Sequence, residues 1–193
     1  MQYKKRILTD IDHVVLHHAT SFQKWLSKNY CSSFENKSWA DYPNFEEWLG
    51  LNTEKANEII YDFNTSEYFS DLFPEKDSLI FVNQLHALGY EFIGITACGD
   101  NELIQKYREV NLNHWFPNIF RKVFYVNDPR EKLQILENFE PSYWVEDSAS
   151  NALLGVQCNH KTYLMEQPYN SHIILDNVKN VKSWKNIYED IVS

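Results

Sequence analysis

No run of 18 apolar residues occurs in the chain, which excludes a membrane-spanning helix. The N-terminal Met-Gln-Tyr-Lys-Lys-Arg is basic, but no apolar core of signal length follows it, so no leader is expected. Cysteine is scarce and odd in number: Cys31, Cys98 and Cys158 share no CxxC spacing. That pattern excludes a disulfide framework and fits reduced thiols in a cytoplasmic protein. With 5 Gly and 6 Pro, the chain is neither low-complexity nor disordered. Positive charge is in deficit, 18 Lys and Arg against 27 Asp and Glu, giving a formal net charge of −9. An acidic surface repels a nucleic-acid backbone, so no stable nucleic-acid binding is expected, although a local basic groove is compatible with that balance. Neither a Walker loop nor a Gly-x-Ser-x-Gly nucleophile elbow is present.

What is present is a chain of 193 residues, 44% hydrophobic and 16% aromatic, enough for one cored domain or a core with a small insert. Its focal stretch is a short apolar run, Ile7-Leu8, that leads into Asp10-Ile11-Asp12 and then a second apolar run. If residues 7–11 form a buried strand, its period of two puts Asp10 and Asp12 on one side at the carboxyl end. Two carboxylates held close need positive charge beside them, and a divalent cation with oxygen ligands meets that need. A solvated turn would leave the same pair without a role.

From about His17 to Pro74 the apolar spacing is helical, with no strand pattern. Phe22, Trp25 and Leu26 mark one helix. Phe45, Trp48 and Leu49 mark another, with Asn44 as its N-cap. A third begins at Thr53, and a short one covers 66–72. Beyond Pro74, strands alternate with helices. Asp77 is placed to cap a helix that runs to Ala87 and stops at Gly89. Strands are expected over 91–96, 122–126, 143–146 and 161–164, and helices over 100–111, 131–139 after Pro129, 148–156 and 183–192. This alternation predicts an α/β fold, a Rossmann-like three-layer core around a central parallel sheet. Residues 1–16 and 75–193 would form that core, and 17–74 a small all-helical cap inserted after the first strand. Ligands of such sheets bind beyond the carboxyl ends of the strands.

Four polar features fall at those ends: Asp10 with Asp12, Thr96, Lys132, and Glu146-Asp147 with Asn151 one helical turn on. Taken singly, Thr96 is an N-cap, Lys132 a solvated lysine, and Glu146-Asp147 a helix start favoured by the macrodipole. Together they converge on one edge of one sheet. Their order resembles that of the haloacid dehalogenase superfamily. Its motifs match Asp10-Ile11-Asp12-His13-Val14, the strand ending in Thr96, Lys132 near a helix start, and Val145-Glu146-Asp147-Ser148 with Asn151. The likeness spans nearly the whole chain, and the insert after the first strand corresponds to that family's cap. Members often carry Gly after the second Asp, where this chain has His13.

The resemblance implies a phosphatase. Asp10 would be the nucleophile that forms an aspartyl-phosphate, and Asp12 the general acid and then base. Mg²⁺ would be held by Asp10, the Asp12 carbonyl and Asp147, with Glu146 or Asn151 as outer ligand or support. Thr96 and Lys132 would hold the phosphoryl oxygens, helped by backbone N–H groups such as that of Ala97; His13, a departure from the family pattern, would narrow the site or contact substrate, or else mark a member of weakened activity. The partner is then a small phosphorylated substrate. The stretch 165–170 and the closing residues 181–187 are similar to the 5'(3')-deoxyribonucleotidase branch, which implies a nucleoside monophosphate; a sugar phosphate or other small phosphoester fits almost as well. Two rivals stand beside this: a catalytically weak protein of the same fold that binds a phosphorylated ligand, and a receiver-type signalling domain. The receiver is disfavoured by the acidic strand after the lysine. His13, His17 and His18 lack a completing Cys or carboxylate set in the sequence, so they read as surface or cap-contact histidines. Cys98 reads as a buried inert thiol. The insert's aromatics read mostly as its core, with one or two left to face the site.

Overall fold

The computed structural model describes residues 3–42 and 44–193. The chain opens with β1 (Arg6–Thr9), then β2 (Leu16–His17), α1 (His18–Asn29), α2 (Phe45–Leu49), α3 (Thr53–Asn64) and β3 (Phe73–Pro74). There follow α4 (Ser78–Ala87), β4 (Glu91–Thr96), α5 (Glu102–Trp115), β5 (Phe120–Tyr125), α6 (Lys132–Leu136), β6 (Tyr143–Glu146), α7 (Ala149–Gln157), β7 (Lys161–Met165), β8 (Val178–Val181) and α8 (Trp184–Val192). Six strands form one sheet in the order β5-β4-β1-β6-β7-β8, with every pairing parallel. This is the expected α/β Rossmann-like architecture. Strand order reverses at β1: the chain runs outward to β4 and β5 on one side, then to β6, β7 and β8 on the other. Such a switch point opens a crevice at the carboxyl ends of β1, β4 and β6.

The segment between β1 and β4 is helical apart from β2 and β3. These pair antiparallel, Leu16 opposite Pro74, and bring the two ends of the insert together. Asn44 caps α2 as its sequence implies, accepting from the Glu47 N–H at 2.9 Å. The insert's rings are not a separate nucleus. Phe22, Trp48 and Phe63 belong to the same continuous apolar cluster as Ile7, Phe92 and Tyr163 of the sheet.

Three local readings are corrected. The first strand ends at Thr9, so Asp10 and Asp12 lie beyond it and the period-two argument does not govern them. Asp77 does not cap its own helix. Its carboxylate instead accepts from the Trp184 and Lys185 N–H groups, each at 3.0 Å, and so caps α8 across the fold. Finally, β8 has no counterpart in the pattern. Lys179 and Asn180 are exposed there, as suits an edge strand that must not recruit another chain.

Candidate active site

After β1 the chain turns sharply. The Ile11 carbonyl accepts from the Val15 and Leu16 N–H groups at 2.8 and 2.9 Å, and His13 sits at φ +60°. That left-handed conformation favours glycine, although His is among the residues that tolerate it. The turn is fixed from three directions. Gln167 Nε2 donates to the His13 carbonyl at 2.8 Å, Trp184 Nε1 to the Val14 carbonyl at 2.7 Å, and Ser78 Oγ to the Val15 carbonyl at 2.9 Å.

Asp10 is brought against β6 by its own N–H, which donates to the Val145 carbonyl at 2.9 Å. Lys132, 1% exposed, places Nζ 3.1 Å from Asp10 Oδ1 and 2.7 Å from Glu146 Oε1. Burial alone would pull this lysine down, but the two facing carboxylates overcome it and hold the ammonium above its ordinary range. Glu146 is wholly buried and fully occupied. Oε1 accepts from Lys132 and from Asn151 Nδ2 at 2.9 Å, and Oε2 from the Asp147 and Ser148 N–H groups at 2.6 and 2.8 Å. Four donors fill the roughly four lone-pair sites of a carboxylate, so Glu146 is a support that orients Lys132.

Asp10, Glu146 and Asp147 each bring a carboxylate oxygen within 4.8 Å of the others'. Burial, opposed by Lys132 and assisted by Glu146 and Asp12, pushes Asp10 up to about 7. Burial beside Glu146 and Asp10 carries Asp147 well above the usual carboxylate range. Asp10 Oδ1 is buried with no hydrogen bond of good geometry, Lys132 being at ion-pair distance only. Two acids raised by burial, one oxygen without a donor and an all-oxygen donor set together fit a hard divalent cation.

Asp12 goes elsewhere. Arg108 of α5, with no exposed surface, brings Nη2 to 2.6 Å from Oδ1 and 2.7 Å from Oδ2. Burial would raise this acid, but the guanidinium outweighs it and holds Asp12 below its ordinary value. Thr96 ends β4 two residues past the Thr9–Gly94 register pair. Its buried hydroxyl has no partner. Ala97 follows it, just beyond the carboxyl end of β4.

Beside these groups lies a cavity of about 590 Å³. His13, Trp39, Tyr42, Phe45, Trp48 and Tyr169 supply its rings, and Asp147, Asn151, Ser148, Asn44 and Glu46 its polar groups; among the described residues it has no lysine or arginine. Trp39 lies 5.1 Å from the His13 ring and 5.6 Å from that of Tyr169. Burial beside His18 drives His13 down to about 3, so its imidazole is neutral. Cys98 is buried outside this lining, its thiol pushed up by burial, and the three cysteines are unpaired.

The structure thus brings Asp10, Lys132, Glu146, Asp147 and Asn151 together, with Thr96 on the neighbouring strand and His13 in the cavity wall. Sequence reasoning did not identify Arg108, Tyr169 or Asn170 as site residues. Tyr169 Oη donates to Asp147 Oδ2, and Asn170 Nδ2 to the Asp147 carbonyl at 2.6 Å. One signal for Arg108 was available: it falls on the stripe Ile104, Asn111, Leu112 that α5 buries.

Solved structures that resemble the chain include a candidate phosphoglycolate phosphatase of Lactobacillus delbrueckii subsp. bulgaricus, 14% identical, TM-score 0.68, covering 99% of both chains. The D,D-heptose 1,7-bisphosphate phosphatase of Burkholderia thailandensis is 12% identical, TM-score 0.59, covering 98% of this chain and 99% of that one. CbbY of Rhodobacter sphaeroides, solved with phosphate, is 11% identical, TM-score 0.61, covering 95% and 96%. A haloacid dehalogenase-like hydrolase of Bacteroides fragilis also aligns, at TM-score 0.62 over 96% of this chain. The chain has the haloacid dehalogenase fold. No protein-family model matches it. In sequence it is 27% identical, over 129 residues, to an uncharacterized 32.4 kDa protein of the Gp30-rIII intergenic region of Enterobacteria phage T4. The match takes in 65% of this chain and 42% of that protein, so the chain spans about two fifths of its relative's length. No helix among the described residues is long and apolar enough to cross a membrane.

Proposed function

We propose that the chain is a phosphomonoester hydrolase that works through an aspartyl-phosphate on Asp10. The observation that carries this reading is the buried Asp10–Lys132–Glu146 chain of ion pairs, with Asp147 against it and an aromatic cavity alongside. Asp10 attacks phosphorus in line, and the alcohol oxygen leaves. Lys132, its charge secured by Glu146, takes up phosphoryl charge, and the free Thr96 hydroxyl and the Ala97 N–H donate to the remaining oxygens. Asp12, paired with Arg108 and so ionised, takes a proton from the water that hydrolyses the intermediate; it gives one to the leaving oxygen only when protonated and released from Arg108. Mg²⁺ bound by Asp10, Asp147 and the Asp12 carbonyl would relieve the repulsion between carboxylate and phosphate. Residues 17–74 act as the cap that supplies substrate contacts.

The substrate is a small phosphomonoester, and a nucleoside monophosphate fits the cavity best. Its rings offer stacking faces for a base. A lining without lysine or arginine offers nothing to a second phosphate. Release of phosphate from an aryl phosphate, with Mg²⁺ and with EDTA, tests the reaction. Turnover that needs the metal and vanishes in Asp10→Asn supports it; no phosphate release from any of a panel of aryl, nucleoside and sugar phosphates refutes it. A second reading, a phosphoester-binding protein with little turnover, draws on His13 at the turn and on the engagement of Asp12 by Arg108. Metal and ligand binding without hydrolysis would favour it.

A further inference from the structure

We propose that Arg108 is a positioning residue for this reaction, fixing the direction in which the Asp12 carboxylate points. The proposal rests on the hydrolase reading. Arg108 lies outside all four stretches that carry the superfamily resemblance, on a helix that contributes no other group to the site. Its guanidinium is wholly buried and bonds both Asp12 oxygens from one nitrogen. Contact with both oxygens from one nitrogen fixes the distance of the carboxylate and the direction of its Cβ–Cγ axis. The guanidinium is itself held. Its central carbon lies 4.1 Å over the ring of Phe69, which is also fully buried.

Packing alone does not account for an arginine here. Nε and Nη1 are buried and have no hydrogen-bond partner, so the guanidinium knits no wider network. Its hydrogen bonds of good geometry go to Asp12, with the Cys98 sulfur also beside it. An apolar side chain of similar volume fills such a site with less desolvation, and a buried ion pair is weak evidence of added stability. A carboxylate that takes a proton from the water that hydrolyses the intermediate has to be ionised and held in direction within roughly 10–20°, and the guanidinium does both. Lys132 cannot supply this, because Asp10 and Glu146 already engage it.

Steady-state hydrolysis of an aryl phosphate with Mg²⁺ tests the proposal in wild type, Arg108→Met, Arg108→Lys, Asp12→Asn and the Asp12→Asn/Arg108→Met double variant. Arg108→Met is expected to lower kcat by about tenfold or more while KM stays within about threefold. Arg108→Lys is expected to recover part of that loss, since an ammonium restores the charge without the planar group's seat over Phe69. In the Asp12→Asn background, Arg108→Met should change the residual kcat by less than about twofold, because the two residues act as a unit. Wild-type kcat in Arg108→Met, a change confined to KM, or equal kcat losses in both backgrounds overturns the proposal. If Arg108→Met does not fold, Arg108→Lys and the double variant, which leaves no unpaired buried charge, decide: wild-type kcat in the first, or a further large loss in the second, overturns it. A wild-type protein that hydrolyses no phosphomonoester overturns the hydrolase reading and this proposal with it; an active wild type indifferent to residue 108 overturns this proposal alone.

Discussion

Raising the pH from 6 to 8 is expected to strengthen Mg²⁺ binding by about tenfold or more. The perturbation acts on Asp10, which burial pushes up to about 7 despite the Lys132 ammonium beside it. A cation that takes this carboxylate as ligand must displace its proton. The ionised fraction of a group titrating at 7 is about one tenth at pH 6 and about nine tenths at pH 8, so Asp10 alone contributes about 1.4 kcal/mol of added affinity. Asp147, also raised, adds to the same trend. A carboxylate at its ordinary value near 4 would add nothing over this range. Isothermal calorimetry in two buffers of different ionisation enthalpy reads both the affinity and the protons released. Release of about one proton or more at pH 6 is expected, and Asp10→Asn should remove the share due to that residue. Affinity that changes less than about twofold between pH 6 and 8 would refute the assignment of Asp10 as a buried, proton-retaining ligand.

The same shift has a sign for stability. A carboxyl group raised on folding stabilises the metal-free protein fully below its unfolded value and loses that contribution as pH rises through the folded one. For Asp10 the window runs from about 4 to about 7, so added Mg²⁺ should raise the melting temperature more at pH 8 than at pH 6.

Lys132→Met strands two buried carboxylates and is expected to cost about 3–5 kcal/mol in urea unfolding as well as abolish turnover; a cost below about 1 kcal/mol would contradict the buried pair. Gly155→Ala would set its new methyl 2.2 Å from Trp144 Cδ1 and 2.7 Å from Thr162 Oγ1, so thermal unfolding should show a loss of about 1–3 kcal/mol or more. Trp39→Ala removes a stacking face and should raise KM for a nucleoside monophosphate by about tenfold, with little change for a small sugar phosphate. Equal KM changes for both would argue against base stacking.

The fold was legible because its signals were local. Apolar runs such as 92–95 alternated with helical spacings, and Asn44 and Pro129 marked helix starts that the structure keeps. Candidate site residues were legible where they follow strand ends, since that places them at the crevice of the sheet, but it did not say which way each side chain faces. Long-range pairings left no such trace. Asp77 has the sequence context of a local cap, yet it serves α8, more than 100 residues away. Tyr169 and Asn170 sit in a loop whose sequence does not say where it returns; its contacts with the Asp147 carboxylate and carbonyl place them at the site. β8 lacked alternation because one face of an edge strand has little to bury.

The pair of aspartates shows that one physical premise can have more than one answer. Two nearby carboxylates do require compensation, and a single shared cation is the most economical answer from sequence alone. The chain instead leaves strand geometry after Thr9, and the two acids part. Asp10 meets Lys132 and keeps its proton near neutrality, whereas Asp12 meets Arg108 and stays ionised. The two environments set the pair apart: Asp12 is ionised, as a base must be, whereas Asp10 must lose its proton to a bound cation before it can attack. That division depends on Arg108 as much as on the Asp-x-Asp spacing. A chain with the same four motif stretches but an apolar residue on that face of α5 would fold alike and still lack the group that holds Asp12 in place.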